Sequence, residues 1–217
     1  GKSWSSEVKY IKDDNTVIDP RFQVELVDYW GDKETLDATP RTSDGQLLFL
    51  MEMVNKMKPV SASALGSRIA SIHNGSSLFT GDAGSGESNI RRYLIENDML
   101  DTIIQLPNNL FYNTGITTYI WLLTNAKPEA RKGRVLLIDA NLLYRKLRKN
   151  LGDKNCEFSD EHVQQITDAH LNFASIGREV DANNEPVGIA AQVFDNKDFG
   201  YYKVTIERPD RRRAALT

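Results

Sequence analysis

The stretch Ile103 to Leu123, IIQLPNNLFYNTGITTYIWLL, constrains the fold of this chain more than any other. Two runs rich in Ile, Thr and aromatics read as buried strands, punctuated by Pro107 and Gly115. Between them lies a loop with adjacent aromatics, Phe111 and Tyr112, and the hydrogen-bonding side chains Asn109, Asn113 and Thr114. A loop held between two buried strands can aim an aromatic face at a planar ligand, where stacking is worth roughly 1–3 kcal/mol per base. It can equally be a turn whose Phe111 plugs the core. The residues alone leave both readings open.

Further strands are expected at 67–73 (SRIASIH) and 135–139, and the strands at 102–106 and 117–123 flank the aromatic loop. A helix opening at an N-cap Ser43 carries Leu47, Leu50, Met51, Val54 and Met57 at helical spacing and ends before Pro59. A second, 87–97, buries Ile90, Tyr93 and Leu94 and sets Glu87 one turn from Arg91. A short basic helix is expected at 142–149. Ser159 then caps a helix with Val163, Ile166 and Phe173 on its apolar face. Residues 1–42 read as polar and turn-rich, with order only at 22–30; 174–198 read as loop and 201–207 as a last strand. Strands alternating with helices argue an α/β sheet.

With 217 residues, the chain is one large domain or one domain with an appendage, and 40% hydrophobic residues suffice for a core. No apolar run approaches the roughly 18 residues of a membrane span, and the polar opening GKSWSSEVKYIKDD does not resemble a signal peptide. The first residue is Gly, so a piece of a longer protein is expected. The single cysteine, Cys156, excludes an internal disulfide and fits a reducing compartment. It also leaves too few thiols for a structural zinc site. A net charge of -3 means that any role on DNA rests on local basic patches or on a partner subunit.

Three further patterns are weighed against plainer readings. GDAGSGES at 81–88 has the glycine spacing of a phosphate loop, but Glu87 replaces the required lysine and sets an anion against the phosphates. A flexible connection capped by Ser85 is the better reading. His162 and His170 are eight residues apart, too far for a helical metal pair, and His73 has no carboxylate neighbour in sequence; no residue is assigned to a metal. The run Arg145, Lys146, Leu147, Arg148, Lys149 is either a solvated face or a contact to DNA phosphates, and Arg211–Arg213 invites the same pair of readings.

Four segments together resemble the modification (M) subunit of type I restriction–modification systems, a family of adenine-N6 DNA methyltransferases. They are GKSW at 1–4 with DPRF at 19–22, IHNGSSLFTGDAGSGESNIRRYLIENDMLD at 72–101, the aromatic stretch itself, and FDNKDFGYYKVTIERP at 194–209. The resemblance implies a partial Rossmann-like α/β methyltransferase sheet, strands five to seven, with the seventh antiparallel between the fifth and sixth. Residues 1–139 would be the second half of the catalytic domain. Residues 140–217 would be a mixed extension, helical and then one strand, in contact with other subunits.

The family's Asn-Pro-Pro-aromatic motif, which lies just before a segment like GKSW, occurs nowhere in this sequence, and neither does the glycine-rich S-adenosylmethionine motif. The resemblance therefore implies a fragment inactive alone. In the parent protein a methyl group passes from S-adenosylmethionine to an adenine flipped out of the duplex. It also implies that Phe111 or Tyr112 stacks on the flipped base, that Lys2, Trp4, Asn113 and Thr114 line the site, and that Arg145, Lys146, Arg148 and Lys149 meet phosphates. Partners would be DNA, a specificity subunit, a second modification subunit and a restriction subunit, in the cytoplasm. The alternative is a non-catalytic docking module derived from such a half-domain.

Overall fold

The computed structural model describes residues 2–28, 30–201 and 204–208. After a 3-10 turn at Ser5–Tyr10 come two small antiparallel hairpins, β1 (Lys12–Asp13) with β2 (Thr16–Val17) and β3 (Gln23–Val27) with β4 (Lys33–Asp37). The region before residue 42 is thus more ordered than its polarity suggests. Part of its apolar set is placed inward: Trp4, Ile11, Val17, Phe22, Val24 and Leu26 are buried, while Tyr10, Ile18, Val27 and Trp30 are exposed.

Then follow α1 (Gln46–Asn55), β5 (Arg68–Asn74), a single turn α2 (Ser76–Phe79), α3 (Gly86–Glu96), β6 (Leu100–Gln105), β7 (Thr118–Thr124) and β8 (Arg134–Asp139). The last third holds β9 (Arg145–Leu151) with β10 (Lys154–Glu157), α4 (Asp160–Asn172), the short pair β11 (Glu179–Val180) and β12 (Pro186–Val187), and β13 (Ala190–Asp195).

One five-stranded sheet organises the whole, in the order β13-β8-β6-β7-β5. β7 lies antiparallel between β5 and β6, the arrangement expected of strands five, six and seven. β8 runs parallel to β6, and β13 pairs antiparallel with β8. Side chains alternate between the two faces. Ile103, Trp121, Leu123 and Val135 join Leu50, Met51, Ile90 and Leu94 from α1 and α3 on one side. Ile104, Leu136, Ile138 and Ala191 join Leu143, Cys156 and Ala169 on the other. Among the described residues no strand pairs with the outer edge of β5.

Several expectations are corrected. Ser43 is not the cap of α1; that position is Gly45, while Asp44 Oδ1 accepts the Gln46 N–H. A Cβ there would lie 3.1 Å from the Lys2 carbonyl oxygen, a tight fit that a glycine avoids. Residues 145–149 are strand, not helix, because β10 offers a pairing edge and sets Glu157 against Arg145 at 2.9 Å. On α4, Val163 is exposed and Ala169 is buried, because the helix is turned to bring His170 Nδ1 within 3.0 Å of Thr102 Oγ1. Arg131 anchors the end of α4: it donates to Asp101 Oδ2 at 3.0 Å and to the carbonyls of His170 and Leu171.

Residues 174–198 are not loop throughout, since β13 completes the sheet there. The extension after residue 140 is accordingly hairpin, helix, hairpin and strand rather than helix and then one strand. In the expected strand 201–207, the described positions Tyr201 and Val204–Glu207 have no strand conformation; Tyr202 and Lys203 lie outside the described residues, as do Arg211–Arg213.

Candidate nucleic-acid interface

Asn74 ends β5, Gln105 ends β6 and Asp139 ends β8; Thr118 opens β7 beside Asn74, and Gln105 faces both Tyr119 and Asp139. All four strands therefore present one rim, and open α/β sheets bind ligands outside the carboxyl ends of their parallel strands. The aromatic loop rises from this rim. Leu106, Pro107 and Leu110 are buried and root it. Asn109 and Asn113 adopt left-handed backbone (φ 56 and 52), which Asn tolerates better than most residues, and Phe111 bridges to Thr114 across the turn. Phe111 packs against the α4-side core, whereas Tyr112 is 68% exposed at the tip. Asn113 is exposed and Thr114 half-buried beside it.

The basic segment meets this loop. The β9–β10 hairpin turns at Gly152 (φ +60) and Asp153, and its tip rests on residues 108–113. Asn109 Nδ2 donates to the Asp153 carbonyl at 2.9 Å, and the Asn155 N–H to the Asn109 carbonyl at 3.1 Å. Lys154 Nζ donates to the Leu110 carbonyl at 2.7 Å, and the buried Cys156 thiol to the Asn108 carbonyl at 3.2 Å. A Cβ at Gly152 would collide with Asn113 Oδ1 and crowd the Tyr112 ring. Arg145, Lys146, Arg148 and Lys149 are all exposed along β9. Two candidate groups far apart in sequence are thus joined through the tip of the hairpin, which contacts the aromatic loop. Lys154 escaped the sequence reading, although the Gly-Asp pair between two short runs is a hairpin signal that could have found it.

Lys2 and Trp4 reach the same rim by another route. Gly45 donates its N–H to the Lys2 carbonyl and Trp4 its N–H to the Thr42 carbonyl, so the segment lies along the entry to α1. Trp4 is buried and its Nε1 is spent on the Arg41 carbonyl at 2.9 Å, which makes it core, while Lys2 is exposed. Gln46 bonds Asn74 through both ends of its amide and Ser76 Oγ bonds Asp44, tying α1 to the end of β5. Burial works to raise the Asp44 carboxyl, but hydrogen bonds from Ser76 and Gln46 outweigh it and hold it below the usual range. Phe79, 78% exposed, stands edge-on to Tyr119 at 6.5 Å on this rim.

The remaining motifs serve the structure. Gly86 has no room for a Cβ against the Thr39 backbone, Ser85 caps α3, and Glu87 is buried as acceptor of the Arg41 N–H at 2.9 Å. Arg91, one turn on, donates instead to the carbonyls of Ser77 and Gly81. His162 completes the capping box of α4. His73 is buried beside Trp121 with neither nitrogen hydrogen-bonded, and burial pushes it down to about 4 against the pull of Asp44. Among the described residues no three His, Cys, Asp or Glu side chains converge as metal ligands.

S-adenosylmethionine, the cofactor implied by the resemblance, finds no room at the end of β5 among the described residues. The cavity beside the end of β5, lined by Arg41, Asp44, Gln46, Ser76 and Glu87, measures about 10 Å³, room for no more than one water. The Asp44, Gln46, Asn74 and Ser76 side chains are joined to one another across it.

Residues 4–201 match the family described as N-6 DNA Methylase. The chain is 36% identical over 105 residues to the type I restriction enzyme MjaIX methylase subunit of Methanocaldococcus jannaschii, covering 48% of this chain and 18% of that protein. It is 29% identical over 182 residues to the HindI methylase subunit of Haemophilus influenzae, covering 80% of this chain and 37% of that one. Among solved structures, the type I methyltransferase subunit from Streptococcus thermophilus superposes with a TM-score of 0.58 at 22% identity, covering 74% of this chain and 28% of that one, a likeness of fold. The chain therefore spans well under half the length of these relatives.

Proposed function

The chain belongs to the N-6 DNA methylase family, and from that premise we propose that it forms the second half of the catalytic domain of a DNA adenine-N6 methyltransferase, the modification subunit of a type I restriction–modification system. The observation that carries this reading is the exposed Tyr112 ring on a loop braced by a cationic hairpin at the carboxyl rim of the sheet. Tyr112 stacks on the flipped adenine, with Asn113 and Thr114 at the edge of the base. Stacking on an aromatic offsets part of the few kcal/mol spent on unstacking the base from the duplex. Arg145, Lys146, Arg148 and Lys149 hold the phosphates nearby, and Lys2 lines the approach. Phe111 acts from beneath, as the packed foot of the loop.

S-adenosylmethionine supplies the methyl group in the parent protein and is held by residues outside this chain. Methyl transfer in line depends on positioning, so the chain by itself is inactive. Residues 1–139 supply the catalytic half, and residues 140–217 supply the basic hairpin and contacts to other subunits. DNA, a specificity subunit, a second modification subunit and a restriction subunit are the partners in the cytoplasm. No helix among the described residues is long and apolar enough to cross a membrane.

The test is the gene upstream of the Gly1 codon, followed by a methylation assay on the complete product. An Asn-Pro-Pro-aromatic sequence there, with transfer of labelled methyl to DNA adenine, supports the reading. An unrelated upstream domain or an initiation codon at that point would overturn it.

A further inference from the structure

Among the described residues the β9–β10 hairpin joins no other strand, and a two-stranded hairpin alone in water is marginally stable at best. Its tip is nevertheless committed to one neighbour: the polar groups of Asp153, Lys154, Asn155 and Cys156 all bond the segment 108–110. Lys154 is the unusual member. Among the described residues it makes no ion pair, and its half-buried ammonium is directed at the Leu110 carbonyl, one residue before Phe111. A cation donating to a carbonyl makes a stronger bond than a neutral amide would. Gly152 leaves open the space taken by Asn113 and the side of the Tyr112 ring.

We propose that the β9–β10 hairpin is the strut that sets the angle of the Tyr112 ring, with Lys154 as its chief positioning residue. The inference rests on the stacking role given to Tyr112 above. It also makes one device of two functions: the strand carrying the phosphate-binding cations is joined, through its turn, to the loop that carries the stacking ring. A base is then met by an aromatic already held in place, which spares the ordering cost a free loop would incur on binding.

The experiment uses the complete gene product with its partner subunits and compares Lys154→Met, Lys154→Arg and Asn109→Gly. The glycine keeps the left-handed backbone of Asn109 while deleting its amide. Amide hydrogen exchange over residues 108–115 is read without DNA, and kcat and KM for DNA are measured separately. Lys154→Met and Asn109→Gly are each expected to speed exchange across the loop about tenfold. Both should lower kcat about tenfold with KM for DNA within about twofold, and Lys154→Arg should restore both readouts. A purely structural lysine would shift the melting temperature and leave kcat per folded molecule untouched. Wild-type exchange and kcat in Lys154→Met overturn the strut. If instead the loop loosens but Tyr112→Ala transfers methyl normally, it is the stacking role that fails.

Discussion

Phe111 and Tyr112 are consecutive residues that serve opposite environments: Phe111 packs against the core around Ile104, Leu106 and Leu110, while Tyr112 stands 68% exposed above Gly152. The division follows from the bridge between Phe111 and Thr114, which closes the loop under the first ring and leaves the second at its crest.

The two aromatics should therefore fail differently. Tyr112→Ala is expected to lower methyl transfer in the complete enzyme by about tenfold or more, with cofactor affinity and melting temperature unchanged, since a stacked ring is worth roughly 1–3 kcal/mol. Phe111→Ala is expected to lower stability by about 2 kcal/mol through the lost packing. Equal activity in wild type and both variants, measured on folded protein, would remove the loop from the site.

The exposed cations of β9 make a separate prediction about salt. Arg148→Gln and Lys149→Gln should each weaken DNA binding uniformly across sequences and make the slope of log K against log salt shallower by about 1. Arg145→Gln should do less, because its guanidinium is already engaged by Glu157 at 2.9 Å. Binding isotherms at several salt concentrations decide this, and an unchanged slope would place the hairpin away from phosphates.

Acid should destabilise the fold through His73. Its folded pKa of about 4 lies below the ordinary 6.5, because burial disfavours the imidazolium. The unfolded chain therefore binds the proton first. The stabilisation is fully present above pH 6.5 and is lost as the pH falls from there to about 4, a contribution of about 3 kcal/mol. His170, also lowered by burial, acts in the same direction. Urea midpoints between pH 7.5 and 4 should drop less steeply for His73→Phe than for wild type; parallel curves would refute the assignment.

The open edge of β5 predicts that the isolated chain associates. No described strand pairs there, and Ile72 on that strand is 53% exposed. An unpaired edge offers a row of backbone groups to a second copy. Light scattering at high concentration should find species above the monomer, reduced by Ile72→Lys. A clean monomer would show that the edge is protected.

Much of the sheet was legible from the sequence, because period two is a local signal: β5, β6, β7 and β8 fall within a residue or two of the expected runs. α3 and the Ser159 cap of α4 were legible for the same reason, since capping and helical spacing are read from neighbours. Other features were not. β9 reads as a basic helix until β10 is folded back to pair with it. β13 has too few large apolar residues to announce itself and becomes a strand by pairing with β8. Val163, expected on the apolar face of α4, is exposed because the rotation of the helix is set by Thr102 and Arg131, residues distant in sequence.

The candidate site divides in the same way. The sequence by itself determined that an aromatic pair sits in a loop between two buried strands, and that four cations lie within five residues some thirty positions on. It could not say that these belong together, which ring faces outward, or that Trp4 is spent in the core. Those outcomes depend on hydrogen bonds such as Lys154 to Leu110 and Trp4 to Arg41, which exist only once distant segments are brought into contact. Propensity and periodicity act over a few residues, whereas the angle of a side chain at a rim is fixed by whatever the fold packs against it, and that is decided in three dimensions.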